Sequence, residues 1–401
     1  TVEPAAKRLT MLVAAIAPQT TAIRSQDWER DRFDIEFGLQ NGTTYNSFLI
    51  CGDKTALVDT SHAKFRQLYF DTLQGLIDPT TIDYLVISHT EPDHSGLVRD
   101  LLDRAPQLTV VGSKVALKFL DDMVHRPYER IVVKGGDTLD LGQGHVLEFV
   151  IAPNLHWPDT AFTFDHGTGV LYTCDAFGLH YCTEDMLDED LAALSPDFRF
   201  YYDCLMAPNA RSVLTALKRM DKLEGTIATI AVGHGPILQR NVTELVGRYR
   251  AWSQSKAKAE TAVAVFYVSD YGYSDRLSQA IARGITKTGV AVEMVDLRSA
   301  DAQEIQELVG RMAGFVVGMP PTDLPSAQTA VKTIVAAAKD KQIFGLFESY
   351  GGNDEPVDPI VSQLRSLELT PGFDPIRIKD TPSESLYQLC DEAGTDLGQD
   401  L

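Results

Sequence analysis

The stretch His89-Thr90-Glu91-Pro92-Asp93-His94 decides how this chain is read. It follows directly on an apolar run, Tyr84-Leu85-Val86-Ile87-Ser88, with the pattern of a buried strand, so a cluster of metal-capable side chains falls at a strand's carboxyl end. In extended chain, positions i, i+2 and i+4 point the same way, which lets His89, Glu91 and Asp93 converge. Pro92 disfavours continuation as a helix. His94, one step past the turn, reaches a second centre nearby. The pattern predicts a site for a pair of metal ions.

So short a cluster cannot fill two coordination spheres, and the rest of the chain offers the missing ligands. His156 follows the apolar run Leu147–Ile151, Asp175 ends Val170–Cys174, and His234 ends Ile227–Gly233. Each is a polar side chain placed where a hydrophobic strand stops, and strand ends on a rigid sheet hold geometry better than mobile loops. Glu91 stands where a nitrogen-rich zinc cluster would carry a second histidine. Mixed imidazole and carboxylate ligation without thiolate suits Fe(II) or Mn(II). Cys174 is expected to face the opposite side of its strand. Taken alone, any one of these histidines reads as packed or surface-exposed, and Asp175 as a helix N-cap. His62, His125, His145 and His166 keep that plain reading, whereas His180, shortly after Asp175, is a candidate for the pocket wall or for a residue behind the ligands.

These residues make the chain resemble the flavodiiron proteins. The resemblance covers nearly the whole chain and rests on His89-x-Glu91-x-Asp93-His94 with His156, Asp175 and His234. It implies a two-domain α/β fold: a metallo-β-lactamase-like αββα sandwich followed by a flavodoxin-like doubly wound parallel sheet. It also implies that His89, Glu91 and His156 bind one iron, that Asp93, His94 and His234 bind the other, and that Asp175 bridges them.

The seam between domains falls in the polar tract Trp252–Glu260, which divides the chain into 1–258 and 259–401. Beyond it the pattern alternates. Strands are expected at Ala262–Ser269, Ala291–Leu297, Gly314–Met319, Gln342–Phe347 and Ile376–Ile378. Helices are expected at Arg276–Thr288, Ala302–Met312, Ser326–Ala338, Pro359–Leu367 and Glu384–Ala393. Leu277, Ile281 and Ile285 line one buried helical face. Strands alternating with helices predict a doubly wound parallel sheet, whose ligand sits beyond the strands' carboxyl ends.

The loops at those ends fit a flavin mononucleotide (FMN). Ser269-Asp270-Tyr271-Gly272-Tyr273-Ser274 is a candidate phosphate loop, where backbone N–H groups and a helix N-terminus take the anion. Pro320-Pro321-Thr322 and Ser349-Tyr350-Gly351-Gly352 are candidates for the flavin ring, with Tyr350 as a flat wall and the glycines allowing close approach. Asp270, Asp275, Asp354 and Glu355 place negative charge near these loops, a departure from the Thr- and Asn-rich loop of the family that points to loosely held flavin.

A net charge of −20 and a pI near 4.8 argue against nucleic acid, which needs a basic footprint. No apolar run approaches the ~20 residues of a membrane span. Five cysteines without Cys-x-x-Cys spacing argue against disulfides, a zinc ribbon or a fused rubredoxin, and fit a reducing compartment. The wording of the chain looks most like the flavodiiron proteins of cyanobacteria and plastids, in which an NAD(P)H:flavin oxidoreductase-like domain normally follows. Gly394–Leu401 trails off after the last expected helix, so the chain is expected to be the core of such a protein.

The resemblance implies a diiron and FMN oxidoreductase that reduces O2 to water as an electron sink in photosynthetic electron transport. A diferrous pair and a reduced flavin supply the four electrons, drawn indirectly from NAD(P)H or reduced ferredoxin. Tyr201 and His180 are candidate proton donors. A head-to-tail homodimer, or a heteromer with a related subunit, pairs one subunit's flavin with the other's irons. The cyanobacterial cytoplasm, or the chloroplast stroma after loss of a transit peptide, is the expected location. The alternatives are nitric oxide reduction at the same pair, a dizinc hydrolase of thioesters or lactams, and a weakly active regulatory subunit.

Overall fold

The protein is described by a computed structural model covering residues 8–33, 37–257, 261–268, 273–298, 300–319, 324–348, 357–378 and 383–401. It contains two compact units: the chain up to Tyr202 with Ser212–Arg250, and Asp203–Arg211 with the chain from Ala251 onward.

Two sheets carry the first unit. In one, the seven strands Leu9–Ala17, Thr20–Asp27, Thr43–Cys51, Thr55–Val58, Tyr84–Ile87, Thr109–Ser113 and Glu129–Val133 lie in chain order. Pairing is antiparallel up to Thr55–Val58 and parallel from there on. Leu85 and Ile87, two apart and so on the same face, join Tyr69, Leu73, Leu101, Leu117 and Leu120 in one buried core. That core seats the helices Arg66–Leu76, Val98–Arg104 and Lys114–Val124 on the sheet. Ser113 starts the last of these, its Oγ accepting the Ala116 N–H at 3.1 Å.

The second sheet orders Thr138–Gly142, His145–Ile151, Ala161–Asp165, Val170–Cys174 and Thr229–Val232. Every pair is antiparallel except the last. The sheets face each other: Phe48 of the first meets Tyr172 of the second edge-on at 5.2 Å. Val170–Cys174 is buried along its whole length, which explains its unbroken apolar reading. Because Val170–Cys174 and Thr229–Val232 run parallel, their carboxyl ends share one edge, and the residues just beyond, Asp175 and His234, emerge side by side.

The second unit holds a sheet in the order Ala291–Asp296, Ala262–Tyr267, Gly314–Gly318, Ile343–Glu348, Thr370–Pro371, with Ile376–Arg377 also on Ile343–Glu348. All pairs are parallel. The main strands therefore follow 2-1-3-4-5, the flavodoxin-like order, with the switch point between the first and third. Leu277, Ile281 and Ile285 are buried as their spacing predicts. Thr370–Pro371 escapes sequence reading because it is so short and carries a proline, tolerated at a sheet edge. No described helix is long and apolar enough to cross a membrane.

The expected trailing end at Gly394–Leu401 is corrected. The last helix runs Glu384–Gln399 and includes Gly394 and Gly398. Glycine is a poor helix former, and tertiary packing explains its presence here. A Cβ on Gly394 would lie 2.0 Å from the Ile281 carbonyl oxygen, and one on Gly284 2.0 Å from that of Asp391. The last helix and Tyr273–Lys287 thus cross backbone to backbone, and Asp391 pairs with Arg283 and Lys287 across the contact.

Gly394→Ala is expected to destabilise this unit by about 1–3 kcal/mol in denaturant unfolding, as overpacking does. Helix propensity alone would stabilise it by about 0.8–1 kcal/mol. A gain in stability would overturn the close-crossing account.

Candidate metal centre

After the strand Tyr84–Ile87 the chain bends at Ser88 and again at Glu91, and then makes a single helical turn, Pro92–Ser95, with Pro92 at its first position. The N–H groups of His94 and Ser95 both reach the Glu91 carbonyl at 2.9 Å. This corrects two expectations. Pro92 does not keep the chain from turning helical; it opens the turn, where its missing N–H is not needed. The expected i, i+2, i+4 convergence therefore does not carry through to Asp93. His89 and Glu91 gather with His156 and Asp175, whereas the turn re-aims Asp93 beside His94 and His234. Within each group the ligand-type atoms lie within 4.8 Å of one another.

Asp175 stands between the groups. Its Oδ2 lies 3.4 Å from His89 Nε2 and 3.3 Å from His156 Nε2, and its Oδ1 lies 3.0 Å from His94 Nε2 and 3.2 Å from His234 Nε2. Glu91 Oε2 sits 2.9 Å from His156 Nε2 and 3.4 Å from His89 Nε2. Asp93 Oδ2 is 3.3 Å from His234 Nε2. The structure thus brings together all seven candidate ligands.

The tautomers are set from behind, by groups that carry little sequence signal. Asp159, fully buried, accepts from His89 Nδ1 at 2.9 Å and from the Thr90 N–H and hydroxyl at 2.7 and 2.6 Å. The Thr44 carbonyl accepts from His234 Nδ1 at 2.7 Å. In both rings the other nitrogen, Nε2, is left facing the carboxylates. Asp159 was legible only as an acidic residue three positions after His156; a backbone carbonyl such as that of Thr44 has no signal at all.

Charge and burial oppose each other here. Burial disfavours the charged form of every histidine in the cluster, yet neighbouring carboxylates win. His234 is raised to about 10 by bonds to Asp175 and Asp93, and His89 and His156 rise well above the usual range beside Asp159, Glu91 and Asp175. Burial likewise opposes ionisation of Asp175, but His94, His156 and His234 hold it well below the ordinary carboxylate range. Asp175 Oδ2 and Asp93 Oδ1 are buried without a hydrogen-bond partner. Carboxylate lone pairs left over among convergent imidazole nitrogens fit a pair of divalent cations, with Asp175 as the shared ligand.

Cys174 departs from its expected direction. Its φ of +53° breaks the strand's alternation, and its sulfur lies within 4.8 Å of ligand-type atoms of His94 and Asp175. Burial, then the Asp175 charge, pushes the thiol well up, so it stays protonated and is a poor ligand. Tyr201 is buried, and its hydroxyl donates to Asp175 Oδ1 at 3.0 Å. His180 shares a 2.6 Å hydrogen bond between Nδ1 and the Thr43 hydroxyl, while its buried Nε2 has no partner. Burial, reinforced by His234, pushes His180 well below the ordinary range and keeps it neutral. Phe33 packs at a tilt against that ring at 4.1 Å and stacks on Phe37 at 4.7 Å, an apolar wall absent from sequence reading.

The remaining histidines lie elsewhere. His62 caps a short turn by accepting the Lys64 N–H, His125 ends a helix, His145 pairs with Asp165 and His166 with Glu148. Of the flavin candidates, Ser269, Asp270, Tyr271, Gly272, Pro320, Pro321, Thr322, Ser349, Tyr350, Gly351 and Gly352 lie outside the described residues. Tyr273 opens the helix Tyr273–Lys287, and Ser274 in its first turn is buried.

Comparison with known proteins agrees with this geometry. Residues 43–235, which include every candidate ligand, match the model of the ODP family beta lactamases. A diflavin flavoprotein A of Nostoc sp. is 66% identical over 99% of this chain and 69% of its own length. Another, from Synechocystis sp., is 66% identical over 99% of the chain and 70% of its own length. The metal-soaked Flv1 flavodiiron core from Synechocystis sp. superposes with a TM-score of 0.89 at 37% identity, covering 98% of both chains. The fold is a metallo-β-lactamase-like sandwich with a flavodoxin-like sheet. The chain belongs to the flavodiiron family, the diflavin flavoproteins A, and is an oxidoreductase.

Two outcomes follow from the geometry. Asp159→Ala is expected to weaken metal at the His89, Glu91 and His156 group about 10- to 100-fold in a chelator competition, and unchanged affinity would count against the bracing role. With no metal bound, His234 at about 10 holds a proton at neutral pH, as do His89 and His156; metal needs their bare Nε2. Loading at about pH 7 should therefore release more than ~1 proton per chain, and affinity should fall on acidification. Calorimetric titration repeated in buffers of different ionisation enthalpy reads this; zero release overturns it.

Proposed function

We propose that the seven side chains hold two irons, His89, Glu91 and His156 on one, Asp93, His94 and His234 on the other and Asp175 on both, and that the protein reduces O2 to water. The observation that carries this reading is Asp175, whose two oxygens each face a separate pair of imidazoles. The all-nitrogen-and-oxygen donor set, with Glu91 in place of a further imidazole, supports iron over a thiolate-rich zinc site. Bound iron and FMN would supply two electrons each, the number a four-electron reduction needs.

The chain's own residues do the rest. Tyr201 holds its O–H on Asp175 and fixes that carboxylate's orientation. With the Thr43 hydroxyl donating to Nδ1, neutral His180 presents Nε2–H inside the pocket as a hydrogen-bond donor; the proton-donor role expected for it would first require a proton on Nδ1, which burial opposes. Phe33 and Phe37 keep water off that side. We assign residues 1–258 to the diiron domain and 259–401 to the FMN domain, with Ser269–Ser274, Pro320–Thr322 and Ser349–Gly352 around the flavin. A head-to-tail dimer or a heteromer with a related subunit would join one chain's flavin to the other's irons. Reduced ferredoxin or NAD(P)H is the proposed electron source, and a role as a photosynthetic electron sink is proposed with the cyanobacterial relatives in its support. Nitric oxide is the second substrate the same pair would accept.

Iron and flavin content per chain is measured first, then oxygen uptake by the photoreduced, loaded protein. Stoichiometric iron, a flavin absorption band and rapid uptake that is lost in Asp175→Ala are expected. Loaded protein that consumes no O2 overturns the oxygen-reductase reading.

A further inference from the structure

Behind His234 lies a clasp whose centre is Arg24. This residue sits in the strand Thr20–Asp27 directly opposite Asn46 in the register with Thr43–Cys51. Its side chain is fully buried. Nε donates to Asn46 Oδ1 at 2.9 Å, Nη1 to the Asp185 carbonyl at 2.7 Å, and Nη2 to the carbonyls of Met186 at 3.1 Å and Gly235 at 2.8 Å. Asn46 continues the grip. Its Nδ2 donates to the carbonyls of Val232 and Gly235 at 2.8 and 2.9 Å, and its backbone N–H to that of Gly233 at 2.8 Å.

The carbonyls on both sides of His234 are therefore tied to one strand pair. The Gly235 N–H completes the set by donating to the Thr44 hydroxyl at 2.7 Å. Gly235 has a φ of +82°, and a Cβ there would meet the Leu179 carbonyl oxygen at 2.5 Å, so the loop has little freedom to shift. Among the described residues no carboxylate hydrogen-bonds to Arg24, and burial brings its guanidinium down to about 10. A buried cation hydrogen-bonded by carbonyl and amide oxygens, with the nearby Asp185 charge only partly offsetting its burial, is an expensive way to build a core. A planar fork that reaches four oxygens at fixed angles is something no apolar side chain, and no lysine, can supply.

We propose that Arg24 is a positioning residue for the half of the metal centre formed by Asp93, His94 and His234. It acts through Asn46 and the carbonyls flanking His234. The inference rests on the metal reading above and adds a residue that touches none of the ligands' own metal-facing atoms. Arg24→Lys keeps the charge and loses the fork. Asn46→Asp gives Arg24 a carboxylate partner and removes two donors from the loop.

Iron-loaded wild-type protein and both variants are dialysed against a graded chelator series, and metal per chain is read alongside the unfolding temperature. Each variant is expected to keep the metal of the His89 group and to release the other about 10- to 100-fold more readily. Lysine should not rescue. A lowered unfolding temperature with both metals held as in wild type would make the clasp merely structural and overturn the proposal. If Arg24→Lys does not fold, Asn46→Asp decides between the same two outcomes. Wild-type protein that binds no metal at all overturns the metal reading itself, a separate result from failure of the clasp.

Discussion

The structure of the first unit depends on one carboxylate shared by four imidazoles. Asp175 is buried, and an isolated charge there would be prohibitively costly. It is tolerated because His89 and His156 approach one oxygen while His94 and His234 approach the other. The parallel pairing of Val170–Cys174 with Thr229–Val232 sets Asp175 and His234 at adjacent strand ends. The left-handed backbone at Cys174 turns the chain just before it. Sheet topology and a single φ angle thus decide where the shared carboxylate sits.

The rest of the unit supports that arrangement from behind. Asp159, the Thr44 carbonyl and Tyr201 each fix the ring or carboxylate they touch, so that the nitrogens and oxygens facing the cavity have little choice of orientation. Arg24 and Asn46 do for a stretch of backbone what Asp159 does for a ring. Preorganisation of this kind is bought with buried polar groups, and the unit contains several that an inert core would not need.

Much of this was legible in the sequence, for a physical reason. Metal-capable side chains packed into the short span His89–His94 at a strand's end cannot be mistaken for core, and the distant candidates His156, Asp175 and His234 repeat the same strand-end placement. The order of strands and helices after residue 260 was equally plain, since alternation at two periods leaves few alternatives. What could not be read was backbone conformation. Pro92 signals the start of a helical turn as readily as an interruption, and only the fold decides which. Nothing in Thr173-Cys174-Asp175 announces a left-handed residue. Gly394 and Gly398 read as the end of a helix, because the partner helix that requires them lies more than a hundred residues away. Arg24 and Asn46 carry no motif that singles them out, and their burial depends on loops contributed from residues 185 and 235.

The proposed ligands divide by origin. His89, Glu91, Asp93 and His94 extend from the seven-stranded sheet, and His156, Asp175 and His234 from the five-stranded one. Cations held among them as proposed would act as a rivet between two layers that also meet through apolar side chains and through hydrogen bonds such as those of Asn46 to the Val232 and Gly235 carbonyls. Ligand occupancy and folding are then thermodynamically linked, because whatever binds only the native arrangement shifts the equilibrium toward it. If those cations are the proposed irons, protein lacking them would form a looser population, more open to proteolysis, and its abundance would follow metal supply.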